Sequence, residues 1–183
     1  MPKLAQPADV LAFWFTETAP KQWYQKDIAF DRLIAERFGP TITAALAGRL
    51  DRWADDTDGC LALIIVLDQF TRNVFRDTPR AFSGDEMALA LSLRCVERGY
   101  LDDSDNARKQ FMLMPMMHSE DLGIQDRSLP LFSAHTGENT YEYAIKHRDI
   151  IAQFGRFPHR NKILGRPSNE AELVFLTQPG SSF

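Results

Sequence analysis

The chain reads as an all-α fold of about eight helices packed as antiparallel pairs. Three observations predict it. Apolar residues recur at helical spacing along most of the chain. Prolines, glycines and acid-bearing caps divide it into segments of helix length. The one long apolar run, Cys60 to Leu67, has no second β-branched run to pair with as a strand.

Gln6-Pro7 opens a first helix to about Thr18, because proline suits the first helical turn, and Pro20 ends it. The second runs from about Asp27 to Phe38. Phe30, Leu33, Ile34 and Phe38 share its apolar face, and Gly39-Pro40 is expected to stop it. A third, Thr41 to about Trp53, carries Ile42, Ala45, Leu46 and Trp53. The apolar run at 60–67 is assigned to a helix by length, since the pattern continues from a cap at Asp58 to Arg76 without a breaker. Ser83-Gly84-Asp85-Glu86 has the form of a capping box opening a helix to Arg98, with Gly99 as its stop. Another helix begins near Ser104 and meets Pro115, where it must kink or restart, and a short helix follows to Leu122. Asn139 to Glu142 reads as a cap followed by an acid, and that helix ends at Phe154-Gly155. Pro167 to about Thr177 is the last, and residues 178–183 read as frayed. No repeat of tetratricopeptide length and no long linker interrupts the pattern, so 1–183 is expected to form a single helical domain.

A domain of this size buries roughly 70% of the surface its unfolded chain exposes, so these 183 residues need neither disulfide nor metal to fold. Hydrophobic residues make up 44% and charged residues 25%, which excludes a disordered tail or a fibrous repeat. The net charge of −4 argues against a nucleic-acid partner. Cys60 and Cys95 stand in apolar helical contexts, and two cysteines make neither a disulfide framework nor a zinc site. No apolar run reaches the ~18 residues of a membrane span. Asp9 interrupts the short apolar stretch near the N-terminus, which lacks a cleavage pattern. The expectation is a soluble, cytoplasmic monomer or homodimer without metal or cofactor.

Three segments concentrate polar chemistry. Asp68, Gln69, Arg72, Asn73 and Arg76 form one helical stripe, about 140° wide, that continues the line of an apolar one. Asp68 precedes Arg72 by four, the favourable order for an ion pair. Such a stripe is either a helix end emerging into water or a partly buried network lining a cleft. The loop from Phe154 to Arg166 carries Arg156, His159, Arg160 and Asn161. Four basic residues and no acid lie between Ile150 and Asn169. Guanidiniums on a turn-rich loop suit a carboxylate or phosphate, or else pin the loop to acids elsewhere. Pro115 to Asp121 carries His118 and Glu120 as candidate proton carriers beside a proline break. His147 lies on the apolar stripe of Tyr143, Ile150, Ile151 and Phe154. His118, Glu120 and His147 have none of the spacings that mark a zinc site.

Leu67-Asp68-Gln69-Phe70-Thr71-Arg72-Asn73, then Pro115 with His118-Ser119-Glu120-Asp121, then Phe154-Gly155-Arg156-Phe157-Pro158-His159-Arg160-Asn161 with Leu164-Gly165-Arg166, together resemble the signature blocks of an uncharacterised, mostly bacterial family. It is known as a domain of unknown function and grouped with tetratricopeptide-like helical folds. The resemblance runs from Phe13-Trp14-Phe15 to about Leu176. Thr71, Leu113 and Asn169 depart from the proline, tyrosine and threonine expected there. The resemblance implies a right-handed array of stacked helix pairs and no particular activity.

Two functions compete. In one, the three segments build a site for a small anionic molecule, with hydrolysis as the least demanding chemistry. Arg72, Arg156 and Arg160 hold the anion, Asn73 and Asn161 orient it, and His147 and His159 border it. His118 or His159, with Glu120 or Asp68, moves protons. In the other, the protein is an interaction scaffold that holds a partner peptide, and the polar segments lock helices together.

Overall fold

In a computed structural model, residues 3–102 and 105–182 are described. Eight helices and no strand occur among the described residues. Helix α1, Pro7–Ala12, runs on through the wider π turn Phe13–Glu17. Helix α2 is Ile28–Leu46. Helix α3 is continuous through Thr57–Ile64, the π segment Ile65–Phe70 and Thr71–Val74. Then come α4 (Asp85–Glu97), α5 (Asn106–Met117), α6 (Leu122–His135), α7 (Glu138–Phe154) and α8 (Glu170–Leu176). Single 3₁₀ turns fill several of the connections.

The all-apolar run explains the architecture. A helix that is hydrophobic all round must be covered all round. Cys60 to Phe70 is buried at every position, and α1, α2, α4 and α5 pack around α3. From α4 to α7 each helix packs on the next. The links at 118–121 and 136–137 are short, so neighbours reverse direction. Phe13, Trp14, Phe30, Phe38, Phe70 and Phe111 interlock at one end of α3, with ring centroids 4.8 to 6.3 Å apart. A small second core of Ile150, Ile151 and Phe157 lies beneath Phe154 and Phe175, where α8 returns.

Several boundaries differ from the sequence expectation. Gly39-Pro40 does not stop α2, which continues to Leu46; the expected helix to Trp53 is instead its last turns followed by the 3₁₀ turn Asp51–Asp55. Residue 36, whose carbonyl loses its donor to Pro40, is exposed, so water can take the place of the missing N–H. Pro115 neither breaks nor restarts α5: residues 111–117 are all buried, and packing on every side outweighs the ~3 kcal/mol a helical proline costs. The break comes at 118–121, and α6, which contains Pro130, was not expected at all. Asp56, not Asp58, caps α3. Ser83 forms no capping box; its hydroxyl donates to the Arg80 carbonyl, and Gly84 occupies the cap of α4. Asn139 is likewise inside α7, whose cap is Gly137. The α5 start expected at Ser104 falls outside the described residues; Asp105 caps the helix through the Ala107 amide. The last helix starts at Glu170 rather than Pro167, and Ser181, in the stretch read as frayed, is buried and donates to the Leu176 carbonyl.

Candidate functional site

The π segment of α3 delivers Asp68 into the interior. In its wider turn the Thr71 hydroxyl donates to the Leu67 carbonyl at 2.7 Å and Arg72 Nη1 to the Asp68 carbonyl at 2.8 Å. Single π turns often mark functional sites. Asp68 is 1% exposed, yet both its oxygens are engaged. His118 Nδ1 lies 2.7 Å and Arg72 Nη1 3.0 Å from Oδ1, and Gln69 Nε2 donates to Oδ2 at 2.6 Å. Burial alone would push the carboxyl towards its neutral form. Arg72 and His118 reverse that and hold it well below the usual carboxylate range.

Arg72 turns its other edge to Asp85, in the first turn of α4, with a bidentate pair at 2.8 and 3.1 Å. Gly84 permits this approach: a Cβ there would stand 2.1 Å from the Leu67 carbonyl oxygen. Asp85 also meets Arg160 Nη1 at 3.3 Å, while Arg160 Nη2 donates to the His118 carbonyl at 3.0 Å. The guanidinium of Arg160 lies 4.7 Å from the ring centroid of Phe82 and 4.6 Å from that of Phe157. Its Nε is buried without a hydrogen-bond partner. Burial, with Arg72 alongside, lowers the pKa of Arg160 to about 10, so it stays charged at neutral pH.

Imidazoles complete the cluster. With Asp68 ionised, the Nδ1–H of His118 donates to it and Nε2 is left as the acceptor. The His118 side chain keeps 15% exposure in front of the covered carboxylate. Burial lowers its pKa although Asp68 opposes the shift. The His147 ring lies 6.3 Å from that of His118 and bonds through Nδ1 to the Tyr143 carbonyl at 2.7 Å; burial takes its pKa down to about 3. His159, beside Phe157, is lowered to about 4 by burial and then by Arg160.

The fold therefore brings Asp68, Arg72, His118, His147, His159 and Arg160 together, from α3, the residue that caps the C-terminus of α5, α7 and the loop after α7. The other expected site residues are placed elsewhere. Asn73 donates to Asp31 on α2 at 2.7 Å and shares it with Arg76, because the polar stripe is wide enough to meet acids on both of its flanks. Glu120 does not orient His118: it grips Arg166 at 2.7 and 3.0 Å and caps the Phe157 amide at 2.8 Å. Asn161 braces the same loop through Ser168 and Arg166. Arg156 is bound bidentately to Glu172 at 2.6 and 2.8 Å and to the Pro167 carbonyl. Sequence reasoning missed Asp85, the acid shared by both site arginines, because an acid opening a helix reads as a dipole partner. It also missed Arg166 as the clamp on Glu120.

The cluster carries no net positive charge when Arg166 and Glu120 are included: Arg72, Arg160 and Arg166 face Asp68, Asp85 and Glu120. Two surface concavities, of about 600 and 260 Å³, are lined by residues outside the cluster.

A bacterial family of unknown function, DUF924, matches residues 10–180. The chain belongs to this family. A solved structure, described as a protein of unknown function (ATU0120) from Agrobacterium tumefaciens, is 36% identical, with a TM-score of 0.88 over 93% of this chain and 96% of that one. No curated protein matches. No described helix is long and apolar enough to cross a membrane.

Proposed function

We propose that the Asp68–His118 pair and Arg160 form a site for a small anionic molecule, a carboxylate or a phosphate ester, with His118 as the proton carrier. The observation that carries this reading is a covered carboxylate fixing the Nδ1 edge of a partly exposed imidazole at 2.7 Å. That arrangement sets the tautomer and leaves Nε2 able to take a proton from water or a hydroxyl. Arg160 is the anion contact, because its 3.3 Å contact with Asp85 is the longest in the charge network and its Nε is unpaired. A ligand anion competes with Asp85 for this guanidinium. Hydrolysis is the reaction class that asks least of such a pair.

A second reading has its own support. Arg156 and Arg166 already grip Glu172 and Glu120, so much of the basic loop pins α8 and the chain after α7 to the body. On this reading the protein is a tetratricopeptide-like scaffold for a partner peptide, and the charges are internal fasteners.

Thermal unfolding in millimolar phosphate, sulfate and malonate, against chloride at matched ionic strength, separates the two. The site reading expects a rise in Tm for wild type that grows with ligand concentration and is absent in Arg160→Lys. No rise with any of these anions favours the scaffold.

A further inference from the structure

Outside the polar cluster, the fold brings two cysteine thiols into contact. Cys60 on α3 and Cys95 on α4 are fully buried free thiols, with their sulfur atoms 3.3 Å apart. The Cys60 thiol faces the Leu91 carbonyl at 3.8 Å, which leaves its lone pairs to accept from the Cys95 thiol. A concavity of about 260 Å³ adjoins the pair: Leu91, whose carbonyl meets Cys60, and Arg94, next to Cys95, both line it. Arg94 Nε is buried without a hydrogen-bond partner, and its Nη2 reaches Asp55 only at 3.4 Å. The thiols thus lie one residue layer from solvent, beside a weakly compensated positive charge.

We propose that Cys60 and Cys95 are a peroxide-oxidisable dithiol that closes to a reversible disulfide between α3 and α4. Cys60 is the attacking sulfur. The hydrogen bond from Cys95 favours its thiolate, burial opposes that, and Arg94 assists, so its pKa falls below the ordinary thiol value; donation to Cys60 and burial push Cys95 upward. The Cys60 thiolate attacks one oxygen of hydrogen peroxide, breaking the O–O bond and leaving a sulfenic acid and hydroxide, which takes up the thiol proton to become water. The Cys95 sulfur then attacks the sulfenyl sulfur. The S–O bond breaks, the hydroxyl leaves with the Cys95 proton as a second water, and the S–S bond forms. Each sulfur gives up one electron and peroxide accepts two. The bond would tie the helix bearing Asp68 and Arg72 to the helix bearing Asp85.

The test uses reduced, folded wild-type protein exposed to millimolar hydrogen peroxide without denaturant. The expected result is loss of both thiols in a subsequent denaturing titration and an intact monomer mass lower by two hydrogens. A proteolytic fragment should link Cys60 to Cys95, and dithiothreitol should restore both thiols. In Cys95→Ser, which keeps a hydrogen-bond donor beside Cys60 but cannot form the disulfide, Cys60 should be trapped by a sulfenic-acid reagent instead. If that variant does not fold, the linked wild-type fragment decides alone. Two thiols surviving hours of treatment, oxidation to sulfinic acid without a link, or disulfide-bonded dimers each overturn the proposal.

Discussion

Asp68 is a charge in a place that disfavours charge, and its partners are what make it tolerable. Three donors surround it at 2.6 to 3.0 Å: Gln69 and Arg72 come from its own helix, and His118 lies 50 residues further along the chain. Removing one member of a buried ion pair is worse than removing both, because the survivor stays buried and unmatched. Asp68→Asn keeps the shape and deletes the charge. It should lower unfolding free energy by about 3 kcal/mol in urea titration at neutral pH, and His118 should lose its fixed tautomer. A loss under about 1 kcal/mol would mean that Asp85 alone satisfies Arg72. Part of this was legible beforehand. Asp68 and Arg72 sit four apart, a local relation that any helix turns into a contact. His118 and Arg160 were recognisable as polar residues in apolar or turn-forced settings. Asp85 was not, since nothing local distinguishes it from other acids that open helices.

At the scale of elements, the approach of α4 to α3 decides whether the cluster forms. The start of α4 lies against the α3 backbone at Leu67, so close that only glycine fits at 84. Gly84→Ala would force the two apart or strain the cap, and should cost at least about 3 kcal/mol. Arg72 should lose its bidentate partner in the same step. Calorimetry on wild type and Gly84→Ala checks the stability; a Tm within about 1 °C of wild type would show that α4 can shift without penalty. Helices whose signals are local were readable: α7 ends at Gly155, which has a left-handed φ of 68°, as a terminal glycine favours. Helix α6 was not readable, because Gly123 and Pro130 interrupt its pattern and its hold comes from packing on α5 and α7. The same effect carries α2 and α5 through their prolines.

At the scale of the molecule, the buried imidazoles set the acid limit of stability. His118, His147 and His159 have folded pKa values below the ordinary 6.5, the last two at about 3 and 4. The unfolded chain therefore binds more protons than the folded one as pH drops below about 6.5, and stability falls with it. Asp68, Glu120 and Glu172, also lowered, contribute stability above the ordinary carboxylate range that disappears as pH falls through and below it. The two effects act in sequence. Between pH 6.5 and 5 the decline belongs to the histidines, and further down the carboxylates steepen it. Tm measured from pH 8 to 4 should stay level at first and then fall, with His147→Gln flattening the upper part of the decline. A curve level down to pH 5 would show that the imidazoles charge in the folded state without penalty.

Helical spacing, the all-apolar run at 60–67 and the polar residues on three separate segments were determined by the sequence itself, because each depends on neighbours within a turn or two. That was enough for the helical class, for the burial of α3 and for which segments carry the chemistry. The tertiary structure alone decided which charge meets which. With 25 acids and 21 lysines and arginines, every guanidinium has many acceptable partners, and Coulomb attraction does not discriminate among them. Helix packing does, by bringing Asp85 to Arg72, Glu120 to Arg166 and Cys60 to Cys95, and by leaving the Nε of Arg160 unpaired.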